Sequence, residues 1–298
     1  MRGATLLGLL GLFRALQASL FDDALALHEA GDHDAALGLY QDFVASTELQ
    51  RDADGVSTAL HNMAIIQHGR GENVLAVELV SEALRARPDP DANFLHTQGV
   101  VLRAVGRAPD AVAAFRAAVD ADPTAGHAHL GLANTLHFDV ADRLAGVTAP
   151  GGAAEEAPFE EFRAATADAA VHYARAVDAF DAQAAREGVG GGGGGSGGGA
   201  TGAGYGPSLF NDWAIALQKA GRHADAAAVL TDATARWPAD LQSRGNLAVA
   251  LKELGDLAGA ERHGRAASAL APGNAQVRYN LGLCLQARGD LGAAAGEW

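Results

Sequence analysis

A glycine recurs at an almost constant interval along this chain, and this period constrains the fold more than any other feature. Gly221, Gly255 and Gly289 follow one another at 34 residues, and Gly71 and Gly106 are 35 residues apart. Each glycine ends a run of apolar residues at helical spacing. A fixed period near 34 residues indicates units that are too small to bury their apolar faces alone, so neighbouring units must stack.

Other positions fall into register when the glycines are aligned. Small residues at a helix crossing let two helices approach closely, and a glycine supplies the turn between them. A proline, which cannot continue a helix, closes four of the units. The aligned residues are Ala24, Ala64, Gly99, Ala214, Ala248 and Gly282 before the glycine, Ala36, Ala76, Ala111, Ala226, Ala260 and Ala294 after it, and Pro88, Pro123, Pro238 and Pro272 at the end.

This combination of glycine, small residues and proline resembles the tetratricopeptide repeat (TPR) family. The resemblance implies an all-α fold, a right-handed superhelix of helical hairpins whose first helices line a concave groove. Residues 17–139 then hold units 1–3 and the first helix of unit 4, and residues 207–298 hold units 5–7, of which the last is truncated. An acidic insert at 140–159 displaces the second helix of unit 4 to about 160–185.

One segment departs from the repeat. Thirteen of the 38 glycines lie between Gly188 and Gly206, in a stretch with little to bury and a high chain entropy. Such a composition predicts a flexible linker over 186–206.

Charge and composition exclude several classes of function. The formal net charge of −14 disfavours a nucleic-acid partner. No apolar stretch is long enough to span a bilayer, and the lone Cys284 excludes an intramolecular disulfide. The pair His28 and His33 is spaced one residue too far apart for a zincin motif and crosses a turn glycine. The sequence thus predicts no catalytic site, metal site or cofactor.

The TPR resemblance implies that the groove holds a peptide or a segment of a partner protein. Asn62, Asn246 and Asn280 occupy one equivalent position, at which asparagines of O-GlcNAc-transferase-type arrays bind a peptide backbone. A side-chain amide suits this task because it offers both a donor and an acceptor. The alternative is that asparagine is merely tolerated on an exposed helix face. The predicted groove residues are His61, Asn62, His96, Thr97, Asn134, Asn211, Asp212, Asn246, Lys252, Tyr279 and Asn280.

Two other groove chemistries have weaker support. A carboxylate clamp needs several basic residues on successive first helices, but Lys219 and Lys252 are the only lysines. A metal-binding or pH-responsive groove would use histidines, although solvated or capping histidines explain the same pattern. The histidines that project towards the groove by helical phase are His28, His61, His68, His96, His127 and His137.

The two ends of the sequence leave alternatives open. Residues 1–18 are either a secretory signal peptide, which implies the secretory pathway, or a capping helix in a cytoplasmic protein. The last unit stops inside its second helix, so we expect Leu281, Leu285 and Trp298 to be uncovered. Either the chain continues in a longer protein, or this edge associates with a partner or a second copy.

The favoured function is therefore a non-catalytic scaffold for protein–protein interactions. The alternative is the targeting arm of a larger enzyme, such as an O-GlcNAc-transferase-like glycosyltransferase.

Overall fold

The computed structural model is all-α over the residues that it describes, as the sequence predicts. These residues form α-helices, one π-helical segment and short turns, and none of them is in a strand. The chain divides into two compact units, each larger than a repeat. From here on, unit 1 means Met1–Pro123 and unit 2 means Thr124–Trp298. The structure describes residues 19–47, 53–87, 89, 91–141, 156–187 and 205–297.

Three predicted segments lie wholly or largely outside the described residues. They are the N-terminal segment 1–18, most of the acidic insert at 140–159 and most of the glycine-rich linker at 186–206. None of the described helices is both long and apolar enough to cross a membrane.

Unit 1 is built from consecutive helices joined in pairs by tight turns. Within each pair a first helix packs on a second helix, and the second helix packs on the first helix of the next pair. The helices are α1 at 19–29, α2 at His33–Thr47, α3 at Ala53–Gly69, α4 at Asn73–Ala86, α5 at Ala92–Ala104 and α6 at Ala108–Ala121.

Unit 2 continues the same alternation with one irregular pair. Its first helix, α7 at Gly126–Asn134, continues as a π-helical segment at Thr135–Ala141. The second helix of that pair is α8 at Glu156–Glu187, which has 32 residues, whereas the second helix of the following pair has 14. The remaining helices are α9 at Pro207–Lys219, α10 at His223–Arg236, α11 at Leu241–Glu253, α12 at Leu257–Leu270, α13 at Ala275–Ala287 and α14 at Leu291–Glu297.

The turn glycines have the backbone conformation that their spacing predicts. Gly71, for example, has φ of 83°, and the N–H of Glu72 donates to the carbonyl oxygen of Gln67 at 2.9 Å. This bond closes α3 in a Schellman motif, and a side chain at Gly71 would strain the positive φ. The glycines with φ between 76° and 86° are Gly31, Gly71, Gly106, Gly221, Gly255 and Gly289.

The small residues lie where helices cross, as predicted. Ala64 and Ala76, on the two helices of one hairpin, are both fully buried. At the equivalent of Ala64 in the next hairpin, Gly99 on α5 packs against the ring of Phe115 on α6. A Cβ at Gly99 would lie 2.6 Å from that ring. The absence of a side chain at Gly99 therefore permits the close approach of α5 and α6.

The prediction that the C-terminal hairpin exposes its leucines is wrong. Leu281 and Leu285 on α13 are 1% and 2% exposed, and they cluster with the fully buried Ala294 on α14. The short helix α14 covers them because it packs on α13. Leu291 is the exposed leucine of this hairpin, at 65%, and Trp298 lies outside the described residues.

Tyr205, the first described residue after 188–204, is held by hydrogen bonds and aromatic contacts. The Tyr205 hydroxyl donates to Oδ1 of Asp181 on α8. Nη1 of Arg236, on α10, donates to the Tyr205 hydroxyl at 2.8 Å and to Oδ1 of Asp181 at 3.2 Å. The Tyr205 ring centroid lies 5.5 Å from that of Phe180 and 6.2 Å from that of Trp237. Tyr205 thus joins α8 to α10.

Candidate functional site

The predicted groove residues lie on the first helices of the hairpins, and we call the surface that these helices carry within each unit its first-helix face. One position on this face, which we call the ladder position, recurs in successive hairpins. The residues at this position are half-buried in every hairpin except the first, where Asp22 on α1 is exposed. The ladder residues are Asp22, Asn62 and Thr97 in unit 1, and Gly131, Asp212, Asn246 and Asn280 in unit 2.

The amide of Asn246 is held in place by a buried neighbour. Its Nδ2 donates to Oδ1 of Asn211 at 2.9 Å. Asn211 is 1% exposed, and its own Nδ2 donates to the carbonyl oxygen of Pro207 at 3.0 Å. The same Nδ2 lies 3.2 Å from Oγ of Ser243 and 3.3 Å from Oδ2 of Asp240. Asn211 was predicted to line the groove, but its burial leaves it no access to a ligand.

An equivalent contact holds Thr97 in unit 1. Nε2 of His61, the residue just before a ladder position, lies 2.8 Å from Oγ1 of Thr97. His61 is 9% exposed, and its ring stacks on that of Phe94 with 4.1 Å between centroids. Burial lowers the pKa of His61 to about 4, so its imidazole is neutral at neutral pH. His61 is therefore a buried residue that holds Thr97 in place on the first-helix face.

Buried tyrosines of second helices reach two further asparagines. Nδ2 of Asn62 donates to the hydroxyl of Tyr40 at 3.0 Å, and the hydroxyl of Tyr173 donates to Oδ1 of Asn134 at 2.8 Å. Both tyrosines are fully buried. The helical period identifies these tyrosines as core residues but gives no sign of their polar contacts.

Asp212 is the half-buried charged residue at the ladder position. Its carboxylate is half-buried, and this burial raises its pKa. Among the residues that the structure describes, none forms a hydrogen bond or an ion pair with this carboxylate.

The other predicted groove residues differ in the contacts and exposure of their side chains. Nζ of Lys252 lies 2.8 Å from Oε1 of Glu253. Oδ1 of Asn280 accepts from Nε2 of Gln276 at 3.0 Å. Tyr279 is 52% exposed. The ring centroid of His96 lies 5.6 Å from that of Phe115.

The histidines do not form one cluster on this face. His137 is fully buried in the π-helical segment, with Nδ1 3.3 Å from the Tyr173 hydroxyl, so the prediction that it projects into the groove is wrong. Nδ1 of His68 lies 2.7 Å from Oδ1 of Asn73 at the start of α4. Within the described ranges, no three His, Cys, Asp or Glu side chains are grouped so that they could hold a metal ion.

Comparison with known proteins agrees with the repeat. Residues 96–137 and 211–275 match a family model described as the tetratricopeptide repeat. No curated protein matches the chain in sequence.

Several solved structures share the fold. The C-terminal part of a TPR repeat-containing protein from Cytophaga hutchinsonii is 13% identical with a TM-score of 0.57, and the match covers 93% of each chain. YrrB, a TPR protein with an unusual peptide-binding site, is 18% identical with a TM-score of 0.51, over 74% of this chain and 89% of its own. PilW, a widely conserved type IV pilus biogenesis factor, is 18% identical with a TM-score of 0.51, over 88% and 97%. At these identities the likeness establishes the fold.

Proposed function

Because the chain is a tetratricopeptide repeat protein, we propose that it is a non-catalytic scaffold that binds an extended segment of a partner protein on a first-helix face. The observation that carries this proposal is the hydrogen bonding of the Asn62 and Asn246 side-chain amides, one in each unit. Each commits its amide nitrogen to one internal hydrogen bond. The carbonyl oxygen of each amide makes no hydrogen bond with the described residues, so it is available to a ligand.

A fixed amide is well suited to binding an extended backbone. Its oxygen can accept from a backbone N–H, and the second N–H of the same amide can donate to a backbone carbonyl. Because Tyr40 and Asn211 already hold Asn62 and Asn246, less side-chain freedom is lost when a ligand binds. Such contacts supply affinity without reading the ligand's side chains.

The fold adds indirect support. YrrB shares the fold and is described as having a peptide-binding site. This likeness supports a peptide ligand for the present chain, whose binding residues we propose from the contacts above.

A peptide array tests the proposal. The full chain, fluorescently labelled, is applied to random-sequence peptides of about 12 residues, a length typical of groove-bound segments. We expect a reproducible set of retained peptides. The double variant Asn62→Ala, Asn246→Ala should bind that set up to about tenfold more weakly, since the first-helix face of each unit loses an amide–backbone contact of about 0.5–1.5 kcal/mol.

A matched control is Gln183→Ala on α8, which removes an exposed amide from a second helix and should bind like the wild type. Circular dichroism shows whether all variants are folded at the assay temperature. The proposal is wrong if the array retains no peptide, or if the folded double variant binds like the control.

A further inference from the structure

Asp212 differs in chemistry from the other half-buried ladder residues, which are amides, a hydroxyl or a glycine. Asp212 carries a carboxylate, which can only accept hydrogen bonds when ionised, and the other ladder carboxylate, Asp22 on α1, is exposed. The carboxylate is half-buried, and burial is the cause of its raised pKa. No cation or donor compensates this burial within the described part of the chain.

The position of Asp212 next to Asn246 strengthens this contrast. Asp212 directly follows Asn211, whose Oδ1 lies 2.9 Å from Nδ2 of Asn246. Asp212 and Asn246 occupy the ladder position of consecutive hairpins, so both side chains belong to the first-helix face of unit 2, and the Asn246 carbonyl oxygen is also an acceptor. Lys252, further along the Asn246 helix, is already paired with Glu253 at 2.8 Å. Two adjacent acceptors favour a ligand that brings donors and positive charge.

A cation on the ligand would relieve the cost of burying this carboxylate. A half-buried, unpaired charge loses solvation without a compensating partner, whereas an opposite charge within a few ångströms stabilises the ionised form. A guanidinium can bond both carboxylate oxygens at once. The net charge of −14 also attracts a basic segment at long range.

We propose that Asp212 is the anchor for an arginine or lysine side chain of the bound segment, so that unit 2 selects basic peptides. This inference rests on the proposed function, because it names the chemistry of the segment that the first-helix face binds. In this arrangement Asn246 holds the backbone beside the anchor, and Asn211 is a positioning residue that fixes the Asn246 amide.

The first test uses triplets of peptides that differ at one position. Random-sequence peptides of about 12 residues carry arginine, its neutral analogue citrulline, or glutamate at the sixth position. At about 50 mM salt, where screening is weak, the full-length chain should prefer arginine over citrulline by about tenfold, equivalent to one well-formed ion pair. Glutamate should bind weakest.

The variants separate this proposal from the proposed function. Asp212→Asn should bind arginine and citrulline peptides equally, whereas Asp178→Asn, which neutralises an exposed carboxylate on α8, should keep the preference. Equal binding of all three peptides by the wild type, or a preference that survives in Asp212→Asn, overturns the anchor but leaves the scaffold intact. Failure of the array, or insensitivity to the double asparagine variant, overturns both.

A second measurement does not depend on a successful library. Carbon-detected NMR titration of Asp212 should give a raised pKa in the free chain, and a lower one when an arginine peptide is saturating. Arg143 is the one basic residue among the undescribed positions of unit 2. If the pKa of Asp212 is ordinary in the wild type and rises in Arg143→Gln, an internal ion pair exists and the proposal is wrong.

Discussion

Nε2 of His61 lies 2.8 Å from Oγ1 of Thr97, and this contact joins the first helices of two consecutive hairpins. In unit 2, Oδ1 of Asn211 and Nδ2 of Asn246 make the corresponding contact at 2.9 Å. In both cases the residue before one ladder position supports the next ladder residue. The first-helix face is thus organised by polar contacts between neighbouring repeats as well as by apolar packing.

His61 should make unit 1 sensitive to acid. Its pKa is about 4 in the folded chain and about 6.5 when unfolded, so the unfolded state binds the proton first. The free energy of unfolding should therefore fall by about 2–3 kcal/mol as the pH drops from above 6.5 to about 4. Urea unfolding across this range, compared between the wild type and His61→Gln, isolates the contribution; parallel pH profiles would contradict it.

Gly99→Ala should destabilise unit 1. The new methyl group would lie 2.6 Å from the Phe115 ring, and overpacking of this kind costs about 1–3 kcal/mol. Gly38→Ala is the control, because no atom lies within 4 Å of a Cβ at that exposed position of α2. It should stabilise the unit by about 0.5–1 kcal/mol through helix propensity. Thermal unfolding should order the proteins as Gly38→Ala, wild type, Gly99→Ala, and a Gly99→Ala variant at or above the wild type would refute the packing argument.

Tyr205→Phe should destabilise unit 2 while leaving its aromatic packing in place. The change removes the hydroxyl that contacts Asp181 and Arg236, and we expect a loss of about 1–2 kcal/mol. Tyr279→Phe removes a hydroxyl from a side chain that is 52% exposed, and its effect should be within about 0.5 kcal/mol. Denaturant unfolding compares the two variants; equal losses would mean that the Tyr205 contacts contribute nothing specific.

Asn211→Ala should cost more stability than Asn280→Ala. Loss of the buried Asn211 amide leaves Asn246 without its acceptor and removes the side-chain donor to the Pro207 carbonyl oxygen, at about 2–3 kcal/mol. Asn280 is half-buried and is bonded to the exposed Gln276, so its loss should cost under about 1 kcal/mol. The measurement is the midpoint of urea unfolding, and the reverse order would show that Asn211 is not the structural residue described here.

The sequence predicted the hairpins because their requirements are strict at single positions. A positive φ at Gly71 and a close crossing at Ala64 each tolerate few residue types, so the spacing of those types is informative. The burial of Asn211 was not predicted, because it depends on Asn246, 35 residues away, bringing a donor to it.

The irregular hairpin of α7 and α8 also could not be predicted from the pattern of residue types. The first helix of repeat unit 4 was predicted to end by residue 139, but its backbone changes to π-helix at Thr135 and continues to Ala141. Within this segment His137 is buried against Tyr173 of α8. Tertiary contacts of this kind override local helical phase, which had placed His137 on the groove side.

The anchoring of Tyr205 has a practical consequence for protein engineering. The chain leaves α8 at Glu187 and is fixed again at Tyr205, which contacts Asp181 on that same helix. The residues that flank the intervening segment therefore both belong to the packed part of unit 2. When the two ends of a segment are held together, lengthening it costs only about 0.6 kcal/mol of entropy per doubling of its length. A fluorescent reporter domain could be inserted there with little expected loss of stability in unit 2.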